Sequence, residues 1–221
     1  MTSTIECRAI LFDMDGTLVD STAVVELVWK RFADRFGLDL ATILETSHGR
    51  RMEDSILRFG PEGVDVEAEK KDLGEFEFVT TDGIVAVAGA IDFIASLPAA
   101  SIALVTSAGR ELATMRMASV DVPLPGVVVT AEDVERGKPF PDPYLAAAAQ
   151  LGVDPSEVVV FEDADAGIES GLAAGMRVIV VGDVAGAIGD DLPNIRDYAE
   201  IGVSVEAAGE DRPRIFLTLA D

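Results

Sequence analysis

The sequence predicts an α/β fold: a parallel sheet with helices on both faces, interrupted near its start by a small all-helical insert. Two observations carry this. Short β-branched runs alternate with helix-length segments along most of the 221 residues, and near-continuous apolar strands of that kind belong to sheets covered on both sides. Residues 20–82 break the alternation, with helical periodicity and no convincing buried strand.

The elements follow in order. Arg8–Phe12 is the first strand and Asp13 closes it. The insert reads as Thr22–Phe36 stopped at Gly37, Arg50–Phe59 stopped at Gly60-Pro61, and Val66–Phe78. Asp20-Ser21 and Thr81-Asp82-Gly83 flank it as candidate hinges. Ile84–Gly109 has the hydropathy of a membrane span, but Asp92 and Pro98 divide it. It reads as a buried helix over 88–97, a turn, and the strand Ile102–Val105. Helices at Arg110–Val120, Pro143–Leu151 and Ala164–Ala174 then alternate with strands at Val127–Val129, Val158–Phe161 and Val178–Val181. Gly152 and Gly175 occupy C-cap positions. Beyond Gly182 the pattern weakens, and Val203–Val205 with Ile215–Leu219 reads as a hairpin across Gly209.

Charge and composition exclude whole classes of function. The net charge is -23, with 40 acidic against 17 basic side chains, the opposite of a nucleic-acid reader and unsuited to anionic membrane surfaces. No nucleic-acid or membrane partner is expected. One cysteine, Cys7, excludes an intrachain disulfide framework and a multi-cysteine zinc site. One histidine, His48, argues against most zinc enzymes and against Ser-His or Cys-His hydrolases. No basic start leads into a long apolar run, so the expected location is the cytoplasm.

The residues that carry chemistry fall at strand ends, where parallel sheets bind ligands. Asp13-Met14-Asp15-Gly16-Thr17 follows the first strand; of two carboxylates two residues apart, one can attack an electrophile while the other moves a proton. Thr106-Ser107 ends the second strand ahead of a helix N-terminus, an anion-binding arrangement. Lys138, one of four lysines, is followed by two backbone-fixing prolines in Gly137-Lys138-Pro139-Phe140-Pro141 and offers a point charge to a phosphoryl oxygen. Glu162-Asp163 ends the fourth strand and could complete a hard-cation site with Asp13. Taken singly, these are an acidic turn, a helix cap, a solvated lysine and an acidic loop; their common placement argues for one site.

Together these motifs resemble the haloacid dehalogenase superfamily over residues 9 to about 182. Asp13–Thr17 matches its first motif, Thr106 the second, Lys138 the third and Glu162-Asp163 the fourth. The resemblance implies a Rossmann-like core domain of residues 1–19 and 83–221, with a helical cap domain of residues 20–82. It implies that Asp13 attacks phosphorus, Asp15 is the acid and base, Thr106 and the Ser107 N–H hold phosphoryl oxygens, and Lys138 neutralises charge. Mg²⁺ is the implied cofactor, on Asp13, the Asp15 carbonyl and Asp163, with Glu162 either a further ligand or a supporting group. An acid at Asp15 favours phosphate esters over halides and phosphonates.

Ser47-His48-Gly49-Arg50-Arg51, with Gly137-Lys138-Pro139 and Phe161-Glu162-Asp163-Ala164, resembles the sugar-phosphate and glycerol-3-phosphate phosphatases, including those acting on 2-deoxyglucose-6-phosphate. His48 and Arg51 are the implied substrate contacts from the cap. The expected function is a Mg²⁺-dependent phosphatase of a small sugar or polyol phosphomonoester, working as a monomer. The alternatives are a β-phosphoglucomutase-like phosphomutase and a non-catalytic binding module; the intact Asp13, Asp15, Lys138 and Asp163 set argues against the module.

Overall fold

The computed structural model describes residues 3–182, 191–208 and 211–219. The chain opens with β1 (Ser3–Cys7), bends at Arg8, and continues as β2 (Ala9–Phe12). β2 takes the place of the expected run Arg8–Phe12, and β1 ahead of it was not expected. The division is physical: β1 pairs antiparallel with the C-terminal strand, whereas β2 enters the central sheet with all four residues buried. Alternate residues of β2 feed opposite cores, Ile10 and Phe12 on one face and Ala9 and Leu11 on the other.

A short β3 (Val19–Asp20) leads into four helices: α1 (Thr22–Phe36), α2 (Leu40–Ser47), α3 (Met52–Phe59) and α4 (Val66–Val79). Gly37 ends α1 in the left-handed conformation at φ 65°, which glycine adopts without steric cost. Helix α2 was not anticipated; Asp39 caps it by accepting from the Thr42 N–H at 3.0 Å. The helix expected from Arg50 starts at Met52 instead. These helices share one apolar cluster containing Val24, Trp29, Phe32, Ile43, Ile56 and Leu73. Trp29 is buried there, as a core residue.

The chain returns through β4 (Val85–Ala86), antiparallel to β3, and α5 (Ala90–Ser96). Next come β5 (Ile102–Val105), α6 (Arg110–Ser119), β6 (Val127–Val129), α7 (Asp142–Leu151), β7 (Val158–Glu162), α8 (Asp165–Ala173) and β8 (Arg177–Val181). With the short β9 (Asn194–Ile195) they build a six-stranded sheet, ordered β6-β5-β2-β7-β8-β9 and parallel throughout. The chain moves outward from β2 through β5 to β6 and then returns to the other side of β2 as β7. Ligands of such sheets bind where that reversal opens a crevice at the carboxyl ends, here beyond Phe12 and Phe161.

The C-terminal hairpin exists as β10 (Ile201–Ala208) and β11 (Asp211–Leu219), longer than the sequence suggested; Gly209 lies outside the described residues. With β1 they form a separate antiparallel sheet. Phe12, Phe93, Phe161 and Tyr198 cluster beneath the site, Phe12 stacking on Phe161 at 5.3 Å between centroids. Burying each of the fully enclosed rings contributes roughly 1.5–3 kcal/mol, which makes a stiff floor for the strand ends. Cys7 is buried in the same core. Among the described residues, no helix is long and apolar enough to cross a membrane.

Candidate active site

The ends of β2 and β7 bring Asp13 and Asp163 together. Their backbones are adjacent in register, Phe12 opposite Phe161, and the Asp13 N–H donates to the Phe161 carbonyl at 3.0 Å. Oxygen atoms of Asp13, Glu162 and Asp163 all lie within 4.8 Å of one another. Gly16 turns the chain at φ 84°, and a Cβ there would collide with the Asp163 carboxylate. The turn after β2 thus requires glycine on two counts. Thr17 donates its hydroxyl to Asp163 Oδ1 at 2.8 Å and fixes that carboxylate.

Lys138 reaches this cluster from the loop before α7. Its ammonium, 1% exposed, donates to Asp13 Oδ1, to Glu162 Oε1 at 2.6 Å and to the Val105 carbonyl at 3.1 Å. Both oxygens of Glu162 are engaged. One oxygen accepts from Lys138 and from the Tyr144 hydroxyl at 3.0 Å; the other accepts from the Asp163 and Ala164 N–H groups at 2.9 and 3.0 Å. Gly167 leaves room for it, since a Cβ there would strike the Glu162 carboxylate.

The electrostatics of the cluster are unbalanced. Two buried carboxylates and the half-buried Asp163 stand around one ammonium. Burial pushes the Asp13 carboxyl up to about 8; Lys138 opposes this, and Glu162 adds to it. Burial also raises Asp163, with Glu162 and Asp13 adding repulsion. Burial by itself would lower Lys138, but Asp13 and Glu162 hold it above its ordinary value. A site that penalises its own anions in this way is complementary to added positive charge.

Asp15 lies across the turn from Asp13 at the foot of a cavity of about 830 Å³ between the strand ends and helices α1 to α4. Its Oδ1 accepts from the Ser21 hydroxyl at 2.6 Å and from Arg116 Nη1 at 2.7 Å. Ser21 stands in the sequence only as part of a candidate hinge and Arg116 has no assigned role there, although Arg116 left a signal. It shares the buried face of α6 with Ala113 and Met117, so a charged residue occupies an apolar helical stripe. Glu77, which accepts from Arg116 Nη2 at 2.8 Å, likewise shares the buried stripe of α4 with Leu73.

The remaining expected residues also border the cavity. Thr106 ends β5, 4% exposed, and its Oγ1 accepts the Ala108 N–H at 3.1 Å, holding the turn that leads into α6. Ser107 donates its hydroxyl to the Gly49 carbonyl at 2.7 Å, a direct bond from the sheet to the insert. His48 is solvent-exposed at the cavity wall; partial desolvation lowers its imidazole against the opposing pull of Glu26 and Asp15. Arg51 is only partly available: its guanidinium pairs with Asp54 at 2.9 Å and Glu53 at 3.1 Å, and donates to the Glu135 carbonyl at 3.2 Å. Its side chain packs over Gly137, next to Lys138.

Residues 10–181 match the family model described as haloacid dehalogenase-like hydrolase. Over 179 residues the chain is 46% identical to hexitol phosphatase A of Escherichia coli (strain K12), covering 79% of this chain and 83% of that protein. It is 36% identical over 186 residues to glycerol-1-phosphate phosphohydrolase 1 of Saccharomyces cerevisiae, covering 79% and 74%. A hydrolase of solved structure from Pseudomonas syringae superimposes with a TM-score of 0.71 at 24% identity, over 79% of this chain and 84% of that one; that likeness shows the fold.

Proposed function

This chain belongs to the haloacid dehalogenase-like hydrolases, and from that premise we propose that it is a Mg²⁺-dependent phosphatase of a small sugar or polyol monophosphate. The observation that carries the reading is Asp13: a buried carboxylate at the strand-end crevice, gripped by Lys138, with a second carboxylate, Asp15, facing the same cavity. Relatives that act on hexitol and glycerol phosphates support the substrate class, as does a cavity that mixes Trp29 and Val25 with Ser21, Ser47 and His48. Residues 20–82 serve in this reading as the cap over a core of 1–19 and 83–221.

The donor set fits a hard dication, because Asp13, Glu162 and Asp163 cluster within reach of one another while the one lysine among them pairs with Asp13 and Glu162 alone. Asp13, the Asp15 carbonyl and Asp163 would hold Mg²⁺, while Glu162 is saturated by its own partners. When bound, the ion neutralises charge on the phosphoryl oxygens and on Asp13. The chain's own residues do the rest. Asp13 attacks phosphorus as the bond to the ester oxygen breaks, and Asp15 gives a proton to the leaving alkoxide. Asp15 then takes a proton from water, whose oxygen attacks the aspartyl-phosphate and restores the Asp13 carboxylate. Lys138 supplies fixed positive charge throughout, and Thr106 with the Ser107 N–H, before the N-terminus of α6, orients the phosphoryl oxygens. His48 contacts the polyol portion, with Arg51 alongside.

Phosphate release from a panel of polyol and sugar monophosphates, with Mg²⁺ or with EDTA, tests this. Release that needs Mg²⁺ and vanishes in Asp13→Asn is expected. A wild-type protein that is folded and silent on every ester overturns it, and activation by a trace of hexose bisphosphate would then favour the phosphomutase.

A further inference from the structure

Arg116 has no part in the reaction as drawn above, yet it is the largest fully buried side chain among the described residues, 1% exposed. Bringing a guanidinium out of water costs several kcal/mol unless its partners are well placed. Both are: Nη1 meets Asp15 Oδ1 at 2.7 Å, and Nη2 meets Glu77 Oε1 at 2.8 Å. The three residues come from three separate parts of the chain. Arg116 belongs to α6 beside the sheet, Asp15 to the turn after β2, and Glu77 to the last turns of α4 in the insert. Glu77 is 8% exposed and its carboxyl is raised by burial, so the pair with Arg116 is shielded from the solvent that weakens surface ion pairs. Ser21, at the entry to the insert, donates to the same Asp15 oxygen at 2.6 Å. Oδ1 is thus held from two sides, while no hydrogen bond from the described residues reaches Oδ2.

We propose that Arg116 is a positioning residue that clamps Asp15 Oδ1 to Glu77, turning Oδ2 towards the leaving group and making that orientation depend on α4 being seated against the core. The proposal rests on the phosphatase reading, in which Asp15 transfers the proton. The clamp gives the insert a second role: it encloses the substrate, and through Glu77 it sets the geometry of the acid. Glu77 also keeps the buried guanidinium compensated, so that Arg116 is not left to a single partner.

Leaving-group dependence separates this from a merely structural role. An alkoxide leaves poorly without a proton, whereas a nitrophenolate leaves readily without one. The value of kcat/KM reports only the steps up to departure of the leaving group, so the later use of Asp15 on water does not enter. In Arg116→Met, kcat/KM for a polyol phosphate is expected to fall about 100-fold, in the range that general acid catalysis contributes, and for 4-nitrophenyl phosphate by less than about tenfold. Arg116→Lys, which keeps the charge without the fork, should fall in between. Because Arg116→Met strands Glu77, the double variant Arg116→Met with Glu77→Leu keeps the site apolar and foldable, and it should show the same substrate split.

Equal losses on the two substrates, or none, would overturn the proposal. Amide exchange over 66–79 tests the clamp without turnover. It should quicken in Arg116→Met, and unchanged protection of α4 overturns the clamp even if the wild-type protein hydrolyses no ester. A wild type that hydrolyses nothing, or an Asp13→Asn variant that still releases phosphate, counts against the phosphatase reading instead.

Discussion

Lys138 Nζ lies 2.6 Å from Glu162 Oε1, with both side chains sealed from solvent. That bond and the three others on Glu162 make it the anchor of the lysine and of the turn after β7. Breaking a buried pair on one side typically costs about 3–5 kcal/mol. Glu162→Gln retains one acceptor but turns an amide N–H₂ towards either the lysine or two backbone N–H groups. A loss of about 3 kcal/mol is expected, read as a lower urea midpoint. The Mg²⁺ concentration for half-maximal activity should shift little, in contrast to Asp163→Asn, where it should rise steeply. A Glu162→Gln protein whose Mg²⁺ requirement climbs as far as that of Asp163→Asn would make Glu162 a metal ligand after all.

Gly16 is the tightest backbone requirement of the site. At φ 84° an alanine is strained, and its Cβ would lie within the Asp163 carboxylate. The strain alone costs of the order of 1–3 kcal/mol. The larger effect of Gly16→Ala should fall on function, because Asp163 must leave the position that Thr17 fixes. Activity is expected to drop by about 10–100-fold at low Mg²⁺ and to recover in part at high Mg²⁺. Activity close to wild type at low Mg²⁺ would show that Asp163 is not tied to this turn.

Five of the six central strands, all but the two-residue β9, and the motif residues at their ends were legible because apolar runs with turn residues behind them have few alternative readings. Val127–Val129 and Ile102–Val105 emerge with the bounds the sequence suggested. Helix α2 was missed because its buried residues are only Ile43 and Ser47, too few for a periodic stripe. β1 was missed because its pattern is mostly exposed and its partner is the far end of the chain. The site followed the same rule. Asp13, Asp15, Lys138 and Asp163 stand in local motifs, whereas Arg116, Glu77 and Ser21 acquire meaning only from contacts across 101, 39 and 6 residues of sequence. A charged residue on an apolar helix face was the available signal, and spacing alone could not name its partner.

His48 offers the clearest separation of binding from chemistry. Its ring borders the cavity, and no hydrogen bond among the described residues ties it to Asp13, Lys138 or Glu162. His48→Ala should therefore raise KM for the preferred polyol phosphate several-fold and leave kcat within about threefold, the pattern of lost uniform binding. It should also reorder the panel, because a lost hydroxyl contact penalises longer polyols more than glycerol phosphate. An unchanged ranking would remove His48 from substrate recognition.

The raised Asp13 carboxyl makes stability depend on pH and metal together. Burial pushes Asp13 in the folded protein up to about 8 from its ordinary value of 3.8, so the folded state holds a proton that the unfolded state has already released. Stability from this group is complete below pH 4 and is lost as the pH rises through about 8. Burial raises Asp163 and Glu77 as well, and they act in the same direction. In EDTA, Tm should therefore decline between pH 5 and 8. Mg²⁺ competes with the proton for the same carboxylates, so the rise in Tm that it produces should be small at pH 5 and largest near pH 8. Asp13→Asn removes one of these titrating groups and should make both curves shallower while lowering the Mg²⁺ effect. A metal-induced rise in Tm that is constant across this range would mean that the ion does not bind at the Asp13 cluster.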